Sequence, residues 1–149
     1  MGNIKELLKE SCLKRTQVRF EEIQLGMTQA QESLESETKS SAGDKYETSR
    51  EMIQQDLSRY QDQLNQVKKD LIVLQQIELK PKEKAILGAV VVTEGATYFL
   101  AISLGKLEIA GNTYMVISPH SPIGRLLWEK EVGEIFQFND REQQIQQIF

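Results

Sequence analysis

The sequence predicts an α+β protein: an N-terminal antiparallel helical hairpin, a coiled coil over residues 1–79 with its tip near 38–47, followed over residues 80–149 by a small antiparallel β-sheet domain with one short helix. Three observations predict it. Phe20, Ile23, Met27, Ala30 and Leu34 recur at alternating steps of three and four, and Ile53, Leu57, Tyr60, Leu64, Val67, Leu71 and Leu74 do the same, so each stretch carries a heptad seam. The two seams mirror each other, Phe20 with Leu64, Ile23 with Tyr60, Met27 with Leu57 and Ala30 with Ile53, about a centre near Ala42. From Ala85 onward the period shortens to that of strands, punctuated by glycine.

The first helix extends its stripe toward the N-terminus through Ile4, Leu8 and Cys12, opposite Leu79, Leu74 and Leu71, with Arg15 and Thr16 making its middle less apolar. No proline interrupts residues 1–79, and Gly26 is the one glycine inside an arm, a penalty of about 1 kcal/mol against alanine that a long packed helix absorbs. Each arm then reaches roughly 50 Å at 1.5 Å per residue. Such an arm reads as a probe that carries a small chemical group some distance from the body that anchors it. Lys80-Pro81 ends the pattern, because proline cannot continue a helix interior and biases its predecessor away from helical angles. Strands follow at 89–93, 97–103, 107–109, 113–117, 134–138 and 143–149, with turns at Gly111-Asn112 and Asn139-Asp140. Ser121-Pro122 starts the short helix, an N-cap serine before a proline at the first helical position. Val90, Val92, Phe99, Tyr114, Val116 and Phe136 are its candidate core.

The 149 residues are 40% apolar and 27% charged, a globular composition, and the net charge of −4 speaks against a broad basic face for duplex nucleic acid. A single cysteine, Cys12, permits no internal disulfide and fits a reducing compartment. No apolar run reaches the roughly 18 residues of a membrane span. A cytoplasmic, monomeric protein without a membrane partner is the expectation. The single histidine, His120, excludes a histidine-rich metal site and is read as a loop residue, and Ser121 needs no role beyond capping.

The spacing Asp44-x-x-Glu47 at the start of the second helix supports two chemistries. As a capping box, the two carboxylates satisfy backbone N–H groups and face the positive end of the helix dipole. As metal ligands, they supply two oxygens to a divalent cation; magnesium asks for six, so a partner would complete the site. The surrounding charge is mixed, with Glu32, Glu35, Glu37 and Glu51 against Lys39, Lys45 and Arg50.

Val116-Ile117-Ser118-Pro119-His120-Ser121-Pro122-Ile123-Gly124-Arg125-Leu126-Leu127, followed by Glu129-Lys130-Glu131-Val132-Gly133-Glu134, resembles the C-terminal domain of the bacterial Gre transcript cleavage factors over roughly residues 85–149. That family also carries a long antiparallel coiled coil before this domain. The resemblance implies an FKBP-like C-terminal fold that docks on RNA polymerase, with Ser121, Pro122, Ile123, Gly124 and Arg125 as polymerase-binding residues. It implies a coiled coil that enters the secondary channel, and Asp44 and Glu47 as the catalytic pair that helps hold a second Mg2+ shared with the polymerase. The implied activity is stimulation of the polymerase's own RNA cleavage in backtracked complexes, with indirect contact to the RNA 3′ end and no enzyme activity of the chain alone. The chain departs from the family pattern at Trp128-Glu129, at Lys45-Tyr46 and Thr48-Ser49-Arg50-Glu51 around the tip acids, and at its opening residues. Two other readings stand beside this one: a channel-binding inhibitor or modulator without cleavage activity, and a coiled-coil protein–protein adaptor.

Overall fold

A computed structural model describes the backbone of residues 2–40 and 44–149, and the side chains of residues 4–36 and 47–149. The chain begins with two long helices, α1 (Gly2–Ser40) and α2 (Asp44–Gln76). The expected fold-back centre at Ala42 and Gly43 lies outside the described residues. By contacts the chain divides into two compact units, one of Met1–Leu13 with Ile72–Phe149 and one of Lys14–Leu71.

In the second of these units α1 and α2 run antiparallel. Ile23, Leu64 and Val67 form its buried centre, flanked by half-buried Phe20, Met27, Tyr60 and Leu71, which is the seam read from the heptads. Every seam residue from Phe20 to Leu34 and from Ile53 to Leu71 is buried or half-buried. Burial of the seam, rather than helix propensity, stabilises helices of this length. Gly26 has a local reason: a Cβ built on it would lie 2.6 Å from Cζ of Tyr60, so the ring occupies space that any other residue would need. Two polar residues also enter the seam. Thr16 is 2% exposed and its hydroxyl has no hydrogen-bond partner, while buried Asp70 accepts from Gln66 Nε2 at 3.0 Å and faces Arg19 at 3.7 Å.

The other unit is built on a six-stranded sheet with β1 (Val90–Thr93), β2 (Thr97–Leu100), β3 (Gly105–Ile109), β4 (Asn112–Ile117), β5 (Ile135–Phe138) and β6 (Arg141–Ile148), in the order β3-β4-β2-β1-β6-β5. The sheet is mixed rather than antiparallel throughout, because β2 and β4 pair in parallel, Tyr98 with Met115 through Leu100 with Ile117. The difference has a physical reason. β4 carries buried Tyr114, Val116 and Ile117 and needs neighbours on both sides, whereas β3 carries exposed Lys106 and Glu108 and suits an edge. β2 stops at Leu100 instead of Ser103, and a short connection whose Ala101 amide bonds to Ile117 O at 2.8 Å carries the chain across to β3.

Strand alternation sends side chains to two faces. Val90, Phe99, Tyr114 and Val116 meet Leu8, Cys12, Leu74 and Ile77 on one; Val91, Tyr98, Leu100, Phe136 and Ile145 meet Ile123 and Leu127 of α3 (Pro122–Leu127) on the other. Of the expected core, Val92 alone is only half-buried. The turn after Phe138 falls at Asn139-Asp140 as expected, both with positive φ. The β3–β4 turn falls at Ala110-Gly111 (φ 52 and 81), one residue earlier than Gly111-Asn112, because Asn112 already pairs with Ile109. Both are two-residue turns of the kind whose twist matches the flanking strands.

Candidate functional site

α2 begins at Asp44, so Asp44 and Glu47 both fall in its first turn, three residues apart and therefore neighbours on the helix surface. Glu47 is exposed; the side chain of Asp44 lies outside the described residues. The backbone N–H groups of a first turn lack intrahelical partners and, with the aligned peptide dipoles, make this end of α2 the positive one. A carboxylate at such an end is stabilised by the helix itself. Among the described residues no cluster of three or more His, Cys, Asp or Glu side chains is placed to hold a metal ion.

The segment Ser121–Arg125 divides into residues that build the turn and residues that face out. Ser121 caps α3: its Oγ accepts from Gly124 N at 3.1 Å and donates to Ser118 O at 2.7 Å, so the hydroxyl is fully engaged. Pro122 occupies the first helical position, where the missing N–H removes nothing. Ile123 and Leu127 point into the core below the sheet. Gly124 is buried because a side chain there would collide with the backbone oxygen of Ser118 and sit 3.0 Å from Cα of Pro119. Only Pro122 and Arg125 of this segment present exposed side chains. His120 is exposed in the preceding loop, its N–H donating to Ser118 Oγ.

Beyond this segment the surface carries apolar side chains that the sequence reading did not single out as a group. Trp128 closes α3 with 42% of its surface exposed, and Leu126, Val132 and Ile135 are exposed as well. Glu129 follows in the left-handed region, φ 64, and its N–H bonds to Ala85 O at 2.9 Å. The backbone turns here in a way glycine adopts without strain. In the sequence the only signal for the exposed group was its spacing, four large apolar residues within ten positions that fit neither one helix face nor one strand face.

The flank of the hairpin holds an open hollow lined by Arg19, Glu22, Ile23, Tyr60 and Gln63. The Arg59 guanidinium stands 5.4 Å from the Tyr60 ring centre and 3.2 Å from Asp56. No helix among the described residues is long and apolar enough to cross a membrane.

Compared with known proteins, the chain is similar to the structure of GreA factor homolog 1 (Gfh1) of Thermus thermophilus, with 19% identity, 91% of this chain and 93% of that chain covered and a TM-score of 0.38. It is likewise similar to Gfh1 of Thermus aquaticus, with 19% identity, coverage of 93% and 94% and a TM-score of 0.37. It is also similar to a structure of the transcription factor Gfh1, with 18% identity, coverage of 93% and 89% and a TM-score of 0.33. No family model and no curated protein matches the sequence.

Proposed function

We propose that this chain is a transcription elongation factor that binds RNA polymerase, places its hairpin tip in the secondary channel and stimulates the polymerase's own RNA cleavage in backtracked complexes. The observation that carries the reading is the antiparallel pairing of α1 and α2 with Asp44 and Glu47 together in the first turn of α2. The motif over Val116–Glu134, which resembles the Gre C-terminal domain, supports it independently. Each part has a task under this reading. Pro122 and Arg125 meet the polymerase surface, while Ser121, Ile123 and Gly124 fix the turn that presents them.

At the tip, Asp44 and Glu47 are two oxygen ligands for Mg2+. The donor set suits a shared ion, since two carboxylates on one helical turn leave most of an octahedral shell to the polymerase and the RNA. The ion, when bound, supplies Lewis-acid activation of water against a phosphodiester. The chain's own residues position and neutralise; the hydrolysis belongs to the polymerase, and the chain alone is not an enzyme.

Asp44→Asn isolates the charge. Asparagine serves a helix start about as well as aspartate, so the variant keeps the hairpin and loses a ligand. In purified stalled polymerase complexes the expected result is retained binding with RNA cleavage lowered by about two orders of magnitude, the scale of losing one electrostatic contact to a reacting centre. Wild-type chain that binds and never promotes cleavage would instead establish a channel-blocking modulator. Failure to bind polymerase at all would leave a coiled-coil adaptor.

A further inference from the structure

We propose that β5 is an open docking edge that accepts an extended segment of a partner protein, one with alternate apolar side chains and a basic end lying beside Glu129, Glu131 and Glu134. The two outer strands of the sheet are β3 and β5, and they are protected differently. β3 carries Lys106 and Glu108, joined at 3.6 Å and largely exposed, the kind of charge that deters a further strand. β5 reads Ile-Phe-Gln-Phe, with no charge and no proline.

Its hydrogen-bonding phase is fixed. Ile145 N donates to Glu134 O at 3.0 Å and Phe136 stands opposite Gln143. Bonded pairs alternate along an antiparallel ladder, so Phe136 and Phe138 pair with β6 while Ile135 and Gln137 direct their N–H and C=O outward. Among the described residues no turn, loop or cap bond reaches either. An edge of this kind selects an extended backbone, and the side chains beside it select the sequence. Ile135, 54% exposed, and Val132, 55% exposed, offer apolar contact. The turn that leads into β5 carries exposed Glu129, Glu131 and Glu134 around half-buried Lys130, with Lys84 4.0 Å from Glu131 and the Glu134 carboxylate accepting from Glu131 N. The opposite end carries Arg141 between exposed Asp140 and Glu142. A strand running antiparallel to β5 therefore places a basic C-terminal end at the acidic turn. The proposal is independent of the tip and of its metal.

The test uses the full chain and the peptide acetyl-Glu-Thr-Val-Thr-Val-Lys-Lys-amide, followed by amide hydrogen exchange. The expected result is about tenfold slower exchange at Ile135 and Gln137 alone when peptide is added at about 1 mM, with Phe136 and Phe138 already protected by β6. Gln137→Pro removes an outward donor and leaves the β6 ladder intact, and Ile135→Lys places a charge on the edge. Each abolishes the peptide effect, and retained protection of Phe136 and Phe138 shows that the sheet persists. Four results overturn the proposal. They are protection of Ile135 and Gln137 in the dilute chain without peptide, protection that grows with chain concentration alone and so reports a second copy, binding unchanged by both variants, and no protection at all.

Discussion

Lys5 is a charged residue placed where charge is disfavoured. It is 3% exposed, its ammonium donates to Lys80 O at 3.0 Å, and Lys82 stands near enough to repel it. Burial first and Lys82 second lower its pKa from 10.5 to about 8. The folded state therefore sheds this proton more readily than the unfolded chain. Below pH 8 the lysine is charged in both states and its burden on stability is complete; as pH rises from 8 to 10.5 the burden fades, and above 10.5 it is gone. Lys5→Met keeps the packed stem and removes the charge. The variant should exceed the wild type in stability most at pH 7, with the gap closing toward pH 10.5. Urea midpoints of both proteins at four or five pH values measure this, and a gap independent of pH would refute the assignment. Thr16 marks a milder mismatch of the same kind, a buried hydroxyl without a partner in the hairpin seam.

At the scale of the elements, Gly26 and the Tyr60 ring meet closely across the hairpin. Alanine is a better helix former than glycine by about 1 kcal/mol, yet its methyl would press on the Tyr60 ring 2.6 Å away. Overpacking of that kind costs about 1–3 kcal/mol. Gly26→Ala should accordingly destabilise the chain by about 1 kcal/mol, and the same change in a Tyr60→Leu background should stabilise it. Equal effects in the two backgrounds, read from denaturation midpoints, would show that the ring does not hold the site. The seam itself was legible because heptad spacing is local and repeats many times. Ser121-Pro122 was legible because capping chemistry acts within three residues. The β3–β4 turn was misplaced by one because Ala110 adopts positive φ without a side-chain signal for it. The parallel β2–β4 pair was illegible, since strand order depends on which strand tolerates an edge and that is a comparison across the whole sheet. Asp70 was missed for a related reason: its charged partner Arg19 lies on the other helix, far away in sequence. Of the tip pair, spacing alone found the residues and left both capping and metal binding open.

At the scale of the whole molecule, the sheet unit is discontinuous in sequence. Met1–Leu13 joins Ile72–Phe149, with Leu8 and Cys12 from the start of α1 beside Leu74 and Ile77 from the end of the helical half. These four side chains cover Val90, Phe99, Tyr114 and Val116 on one face of the sheet, while α3 covers the other. A sheet with a bare apolar face does not hold its packing in water. The texture change at Lys80-Pro81 ends the helical period, but residues 80–149 alone lack one of the two layers that bury the strands. A chain of residues 80–149 should thus show no cooperative unfolding transition and should bind an apolar dye, as loosely packed states do. Within the intact chain, Leu8→Ala should destabilise by about 2–5 kcal/mol, the range for emptying a fully buried leucine site. Calorimetry and dye binding on the fragment, with denaturation of the variant, check both parts. A fragment that melts cooperatively at the temperature of the full chain would mean that the first thirteen residues are spectators, and a Leu8→Ala change within about 0.5 kcal/mol of wild type, the ordinary range of a surface substitution, would say the same.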